Sequence, residues 1–215
     1  MDDRNVLPKV FGWMFVGLVI SFLTGIFISN NPNMIFNLYN NGMIWLIAIG
    51  ELILVAVLSA RIQKMKSTTA TILFVAYSFL TGFTLSAIFF VYDLLSVVLV
   101  FGVSALIFAI FALLGMYTKV DLSKLGTILI MGLIGLLIAT LINIFLGNDM
   151  VDIIINAIGI LIFIGLTAYD IQKIKNLSYM IADSHNAAIL GALELYLDFI
   201  NIFIRLINLF GKSRD

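Results

Sequence analysis

Cysteine is absent from this chain of 215 residues, histidine occurs once, and only 11% of the residues are charged. The lack of cysteine excludes a disulfide bond, a thiolate metal site and a thiol nucleophile. His185 is the single histidine, so one chain cannot assemble a multi-histidine metal centre. A soluble domain of this size usually has about 25% charged residues. This chain has too little polar surface to cover itself in water, and we infer that its solvent is a membrane.

Charge and hydropathy agree with a membrane location. Hydrophobic residues make up 62% of the chain, and the mean hydropathy is +1.16. Twelve basic and twelve acidic residues give a formal net charge of zero, which argues against nucleic acid as a partner. The lipid bilayer is therefore the first partner that the composition predicts.

Apolar runs long enough to cross about 30 Å of hydrocarbon recur along the chain. The predicted spans are 10–29, 43–60, 70–92, 95–117, 125–147, 152–173 and 187–210. The segments between them are too short to hold a soluble domain. We therefore predict an all-α membrane protein, with residues 1–215 forming a single polytopic domain and a bundle of seven transmembrane helices.

The basic residues of the amino-terminal segment and the loops fall on one side of this predicted bundle, and the opposite loops contain none. They are Arg4, Lys9, Arg61, Lys64, Lys66, Lys119, Lys124, Lys173 and Lys175. The positive-inside rule then predicts a cytoplasmic amino terminus. Lys212 and Arg214 do not fit, because seven crossings place them on the other side. The alternative is that 187–210 is re-entrant and returns the tail to the cytoplasm; we favour seven full spans.

Small residues recur at helical spacing in three of the predicted spans. They are Gly17, Ser21 and Gly25 in the first, Ser78, Gly82 and Ser86 in the third, and Gly135 and Ala139 in the fifth. Such stripes let helix backbones approach one another closely in lipid. We predict packing contacts at these positions and no chemistry.

Four acidic residues lie inside apolar runs: Glu51, Asp170, Glu194 and Asp198. A charged side chain at the bilayer centre costs about 2.5–3.5 kcal/mol on insertion scales, so each is a candidate functional residue. In the last span the acids share one helical stripe with other polar groups, because Glu194, Asp198, Asn201 and Arg205 are four, three and four residues apart.

Asp170 and Asp198 lie on two consecutive predicted spans, which should pack antiparallel. Two carboxyl groups that converge share one proton and titrate as a pair. Arg61 ends the second span on the same side and is their natural counter-ion, so the three residues would form a proton-sensitive latch. The structural alternative is that each acid is neutral and only joins helices by hydrogen bonds. For Glu51 the same two interpretations, lining a cavity or joining helices, stay open.

Two segments together resemble a known signature. TAYDIQKIK (Thr167–Lys175) and LELYLDFINIFIRLINLFG (Leu193–Gly211), with Glu51 and Arg61 in the second span, are similar to the transmembrane Bax inhibitor motif family. The resemblance implies a multi-pass, pH-sensitive calcium leak channel. It also implies a two-aspartate proton sensor and an arginine latch at the aspartates and the arginine described above. The short chain suggests a bacterial member in a plasma membrane.

The first functional hypothesis is a pathway for cations. Calcium is a hard ion that takes oxygen ligands, and the expected pathway residues are Glu51, Glu194, Asn201 and Arg205. Asp198 and Glu194 are the expected transient ligands of Ca²⁺. The expected partners are calcium ions, protons and lipid. We expect no cofactor apart from the permeant ion and no enzymatic activity.

Other hypotheses use the same residues. A proton-coupled cation exchanger also needs coupled carboxyl groups. An intramembrane aspartyl protease would use Asp170 and Asp198 to activate water. Such proteases have Gly-x-Gly before the second aspartate, where this chain has Leu195, Tyr196 and Leu197, and these bulky side chains leave little room for a substrate strand. A non-conducting regulator that binds other proteins is a further alternative.

Overall fold

A computed structural model describes residues 6–181 and 183–214 of the chain, except for the side chains of 176 and 178–180. Arg4, one of the basic residues used above, lies outside these residues. The described part contains no β-strand and forms α1 (Leu7–Ser29), α2 (Pro32–Asn40), α3 (Met43–Arg61), a 3₁₀ turn (Ile62–Lys64), α4 (Ser67–Val91), α5 (Leu94–Tyr117), α6 (Ser123–Leu146), α7 (Asp149–Met180) and α8 (Ser184–Phe210). Seven of these helices are long and apolar enough to cross a membrane, so the predicted fold class is confirmed.

Proline and glycine mark several helix boundaries. Pro8 lies in the first turn of α1 and Pro32 opens α2, where the missing N–H of proline has no cost. Gly42 precedes α3 with φ 69°, and Gly147 follows α6 with φ 60°. Both angles lie in the left-handed region that glycine adopts without steric strain. These residues therefore set where the polypeptide turns between spans.

Helix α2 was not predicted, because 30–42 was interpreted as an asparagine-rich loop. Ile35 and Leu38 are buried on one side of α2, whereas Met34 and Phe36 are exposed. The segment is thus a short amphipathic helix between α1 and α3. Its apolar residues are too few for a span, which is why the hydropathy pattern alone did not reveal it.

The predicted connection over 174–186 is wrong in most of its length. Helix α7 continues to Met180, so only 181–183 separate it from α8. Polar residues such as Lys173 and Lys175 mark where a helix leaves the hydrocarbon, but its backbone hydrogen bonds continue beyond that point. The prediction confused the membrane boundary with the helix end.

The chain divides into two compact units, and the prediction of one domain over 1–215 stays a prediction. The first unit comprises Met1–Leu94, Ile174–Tyr196 and Ser213–Asp215, and the second comprises Leu95–Lys173 and Leu197–Lys212. In the first unit α1 packs closely on α4. A Cβ added at Gly82 would lie 2.8 Å from the Ser21 carbonyl, and one at Gly17 would lie 2.8 Å from the Phe74 ring. The packing predicted at these small residues is confirmed, and the structure shows that the stripe of α1 faces that of α4.

Contacts in the first unit show how far α8 extends along α4. Near the start of α4, the Asn186 side chain donates to the carbonyls of Ile62 and Met65, each at 2.9 Å. At the other end, the Arg214 N–H donates to the Val91 carbonyl at 2.8 Å. A residue at the start of α8 and one shortly after its end, both in the first unit, therefore lie near opposite ends of α4. By length and composition α8 is one of seven helices able to cross a membrane, and seven full spans remain the interpretation that we favour over a re-entrant last segment.

In the second unit, α5 and α7 approach closely at Gly115, where an added Cβ would lie 2.8 Å from Cα of Ala168. Phe199 of α8 packs edge-on against Phe101, with ring centroids 5.2 Å apart. The predicted stripe in α6 is wrong at Gly135, because no described atom lies within 4 Å of a Cβ built there. That residue is exposed and faces the surroundings of the helix.

Candidate functional site

Glu51 is a partly buried carboxylate in the middle of α3, in the first unit. The Thr84 hydroxyl donates a hydrogen bond to its Oε1 at 3.3 Å. Thr81 of the same neighbouring helix lies near the carboxylate, and its own hydroxyl donates to the Tyr77 carbonyl at 3.1 Å. The structure therefore places this acid against hydroxyl groups of α4, which supply hydrogen bonds inside an otherwise apolar bundle.

Tyr196 of α8 extends this polar group towards α1. Its hydroxyl lies 2.5 Å from the Ser21 Oγ, and Thr81 is a close neighbour. Ser21 in turn donates to the Ser78 carbonyl at 2.6 Å. Thr81 thus lies near both Tyr196 and Glu51. We call Ser21, Thr81, Thr84 and Tyr196 the hydroxyl cluster.

Sequence reasoning missed the hydroxyl cluster. Tyr196 was considered only for its bulk beside Asp198, and Ser21 only as a small packing residue. Both are fully buried, so their hydroxyls must find partners within the protein. A usable signal was that Ser21, Ser78, Thr81 and Thr84 lie in two apolar spans that each carry a stripe of small residues.

Asp198 and Asp170 lie in the second unit, and the register of α7 and α8 relates them. Arg205 of α8 packs over Gly159 of α7, where an added Cβ would lie 2.5 Å from the Arg205 Cδ. Because the two helices are antiparallel, we count from this contact seven residues towards the start of α8, which reaches Asp198, and seven residues towards the end of α7, which reaches Leu166. These two residues therefore lie at about the same level along the helix axes. Asp170 is four residues further along α7, or about 6 Å. The two acids therefore lie about one helical turn apart along the helix axes.

The two acids differ in exposure. Asp198 is 3% exposed, whereas Asp170 is partly buried. A carboxyl group this deeply buried is stable only when protonated or paired. The second unit therefore contains a buried carboxyl group on α8 with a second one close to its level on α7, and their predicted role as a proton-sensing pair stays a prediction.

The other two polar residues of the predicted stripe have structural partners. Asn201 donates from Nδ2 to the Leu197 carbonyl of its own helix at 2.9 Å. Arg205 lies over the Phe163 ring, 5.5 Å from its centroid, and its Nη1 is 3.4 Å from the Ile155 carbonyl. These contacts join α8 to itself and to α7. Their predicted place in an ion pathway stays a prediction.

Glu194 and Arg61 belong to the first unit. Glu194 is partly buried in α8, two residues before Tyr196. Arg61 is the exposed last residue of α3, and within its unit it forms no hydrogen bond or ion pair with a described residue. The predicted latch by Arg61 therefore stays a prediction.

The start of α8 is fixed by Asp183, which precedes the helix. Its Oδ1 accepts the N–H of His185 at 2.8 Å, and its Oδ2 accepts the Ser67 hydroxyl at 2.5 Å. The carboxylate therefore caps α8 and also holds the first residue of α4. These hydrogen bonds, with Ser67 contributing most and His185 next, hold the pKa of Asp183 below its ordinary value of 3.8.

Asp183→Ala is expected to destabilise the protein by about 1 kcal/mol at neutral pH, because the cap is lost. A lowered folded pKa means that the carboxylate stabilises the fold above pH 3.8, and that this contribution is lost as the pH falls through the folded value. The thermal midpoint in detergent should fall by about 2–4 °C at pH 7, and the two proteins should converge in acid. Asp183→Asn keeps the capping oxygen and should retain most of the midpoint at pH 7; a midpoint as low as that of the alanine variant would contradict the capping role.

Comparison with known proteins identifies the family to which this chain belongs. The model of a family described as "Inhibitor of apoptosis-promoting Bax1" matches residues 3–215. The chain belongs to the Bax inhibitor family. Inner membrane protein YbhL of Escherichia coli (strain K12) is 42% identical, over 98% of this chain and 93% of its own length. An uncharacterized protein of Borreliella burgdorferi is 40% identical, over 99% and 94%, and an uncharacterized membrane protein of Streptococcus pyogenes serotype M1 is 42% identical, over 84% and 80%.

Membership of the Bax inhibitor family confirms the resemblance that was based on TAYDIQKIK and the last span. Together with seven helices of membrane-spanning length, it makes this chain a multi-pass membrane protein. The match covers both units and all the acids discussed above. At this level of detail, the function class is that of a membrane transporter or channel.

Proposed function

We propose that this chain is a pH-sensitive calcium leak channel. In this proposal Asp170 and Asp198 form the proton-sensing pair, and Arg61 is the latch that responds to it. Glu51 and Glu194 line the path of the ion, and Asp198 and Glu194 are its transient oxygen ligands. The protein needs no cofactor.

The observation that carries this proposal is the buried carboxyl group of Asp198, which lies about one helical turn from Asp170 along the helix axes. In this proposal the two carboxyl groups, about one helical turn apart along the helix axes, interact strongly enough to titrate as a pair, so their charge changes in steps that external pH controls. Each protonation state favours a different packing of α7 against α8, because a buried charge needs partners that a neutral acid does not. This supplies a two-state element that pH biases.

A contact in the first unit supports the part given to Arg61. The amide of Asn186, in the first turn of α8, donates to two carbonyls of the segment that follows Arg61. A shift of α8 would therefore displace the end of α3. The arginine is exposed, so it is free to change partners when that end moves.

We also propose a plasma-membrane location with the amino terminus in the cytoplasm. The relative from Escherichia coli is an inner membrane protein. Lys9, Arg61 and Lys64 lie near those ends of α1 and α3 that the positive-inside rule assigns to the cytoplasm. Arg214, near the opposite end of α4, is the exception.

The hydroxyl cluster favours a second candidate, a proton-coupled cation exchanger. A hydrogen bond between Ser21 and Tyr196 joins α1 to α8, and Thr81 and Thr84 lie beside the carboxylate of Glu51. Hydroxyl groups both donate and accept hydrogen bonds. Such a group of hydroxyls can pass a proton, and it can equally serve to join the helices by hydrogen bonds. Coupled proton movement is the property that separates an exchanger from a leak.

The test is uptake of ⁴⁵Ca²⁺ into liposomes that contain the purified chain, at equal internal and external pH between about 5 and 8. Asparagine mimics a protonated aspartate, so Asp198→Asn is expected to fix the flux at the parent's low-pH value. The parent flux should vary at least about tenfold over this range, equivalent to about 1.4 kcal/mol in the barrier. Asp170→Asn should behave in the same way.

Asp149→Asn is the matched control, because Asp149 is an exposed acid at the first residue of α7. It should keep the parent's pH profile. If both sensor variants also keep that profile, the sensor assignment is wrong. A pH-sensitive dye inside the liposomes separates the two candidate functions, since only an exchanger moves protons against calcium. Absence of flux at every pH would contradict both.

A further inference from the structure

A cleft of about 750 Å³ opens in the first unit between α3 and α4, at the end where α3 stops. Arg61 and Lys64 lie at its edge, and the Thr69 side chain lines it from the first turn of α4. Val57 and Leu73 line it further along the two helices. The cleft therefore has a polar, basic part and an apolar part.

The polar and apolar residues of the cleft are arranged as they would be across a membrane, with the polar residues at the surface and the apolar residues deeper. Val57 is one helical turn before Arg61, and Leu73 is one turn after Thr69, so each apolar residue lies about 6 Å deeper than its polar counterpart. The side of α3 away from the protein is covered by lipid, because Leu58 is its only buried residue. The cleft is thus open to molecules that lie in the bilayer.

The charged residues around the cleft are basic, and they lie at the end of α3 and in the connection to α4. The sequence from residue 52 to residue 92 contains Arg61, Lys64 and Lys66, and neither aspartate nor glutamate. The nearby Asp183 is bonded to Ser67 and does not line the cleft. Arg61 and Lys64 therefore have no carboxylate beside them among the described residues that line the cleft.

We propose that this cleft binds an anionic phospholipid, with the headgroup phosphate at Arg61 and Lys64 and an acyl chain along Val57 and Leu73. A phosphate diester complements two basic side chains and a hydroxyl donor, and basic pockets between membrane helices bind such headgroups. A soluble phosphate would leave the apolar walls of the cleft in contact with water. The inference does not depend on the proposed channel function.

The test is native mass spectrometry of the purified chain with added phosphatidylglycerol or phosphatidylcholine. The parent is expected to retain one phosphatidylglycerol and to lose phosphatidylcholine. Lys64→Gln should weaken retention roughly fivefold, the effect of one basic contact with an anionic lipid. Ala60→Phe keeps both charges but fills the cleft, and should weaken retention as well.

Lys66→Gln is the matched control, because Lys66 is an exposed cation two residues away that does not line the cleft. It should retain the lipid as the parent does. An equal loss in Lys64→Gln and Lys66→Gln would show a diffuse charge effect and overturn the site, as would equal retention of phosphatidylcholine by the parent. Displacement of the lipid by sn-glycerol 3-phosphate would identify a soluble phosphate ester instead. Thermal midpoints check folding, and the Lys64 variant tests the site even if Ala60→Phe does not fold.

Discussion

Gly115→Ala is expected to destabilise the protein by about 1–3 kcal/mol, and the control Gly102→Ala on the same helix is not. A Cβ at Gly115 would overlap the carbonyl oxygen of Ala168 and lie 2.8 Å from its Cα and 2.9 Å from its carbonyl carbon. These are backbone atoms, so the strain cannot be relieved by a change of rotamer. Helices α5 and α7 would have to separate, which breaks contacts along both.

The measurement is the thermal midpoint of each variant in the same detergent. A destabilisation of about 1 kcal/mol lowers the midpoint of a chain of this size by about 2–4 °C, so a fall of several degrees is expected for Gly115→Ala. Gly102 has no described atom within 4 Å of its Cβ position, and alanine there should leave the midpoint unchanged or slightly higher. Equal midpoints for the two variants would show that α5 and α7 do not touch at Gly115.

The position of Gly115 also connects stability with the candidate sensor. Ala168 lies two residues before Asp170 in the TAYD segment of α7. Any separation of α5 from α7 at this point moves the backbone that carries the aspartate. A glycine is therefore needed on α5 both for close packing and for the position of Asp170.

Most of the fold could be predicted from sequence because a bilayer imposes a length and a polarity on each crossing helix. The seven spans and the packing at the small residues of α1 and α4 are examples, whereas the pairing of these two stripes came from the structure. The contact of Gly115 with Ala168 was not predicted, because no second small residue lies four positions away to form a stripe on α5. Helix α2 and the last turns of α7 were not predicted, because the hydropathy pattern identifies only the segments that cross the hydrocarbon, and these two lie outside it.

The candidate site could be predicted in part for a different reason. An acid inside an apolar run is conspicuous, so Glu51, Asp170, Glu194 and Asp198 were found from their context alone. The hydroxyl of Tyr196 was not found, because tyrosine is common in membrane helices for reasons of packing and of position near headgroups. Which hydroxyl meets which acid depends on the rotation of each helix about its axis, and hydropathy does not report that rotation.

Glu51→Gln is expected to lower ⁴⁵Ca²⁺ flux at least about tenfold at every pH between about 5 and 8, a rise of about 1.4 kcal/mol in the barrier. Glutamine keeps the shape of the side chain and an oxygen that can accept the Thr84 hydroxyl, so only the negative charge is lost. In a low-dielectric bundle, that negative charge stabilises a crossing calcium ion more than a neutral ligand does. The measurement is the liposome uptake described above.

The form of the pH profile separates a pathway residue from a sensor. Glu51→Gln should lower the whole profile without flattening it, whereas Asp198→Asn should flatten the profile at one of the parent's own values. Thr84→Val is the matched control, because it removes the donor to Glu51 but keeps the charge, and it should reduce flux less than Glu51→Gln does. Parent-like flux in Glu51→Gln would assign Glu51 to helix packing, the alternative that the sequence left open. A flattened profile would instead make Glu51 part of the sensor, and the hydroxyl cluster beside it would then be the route by which its proton moves.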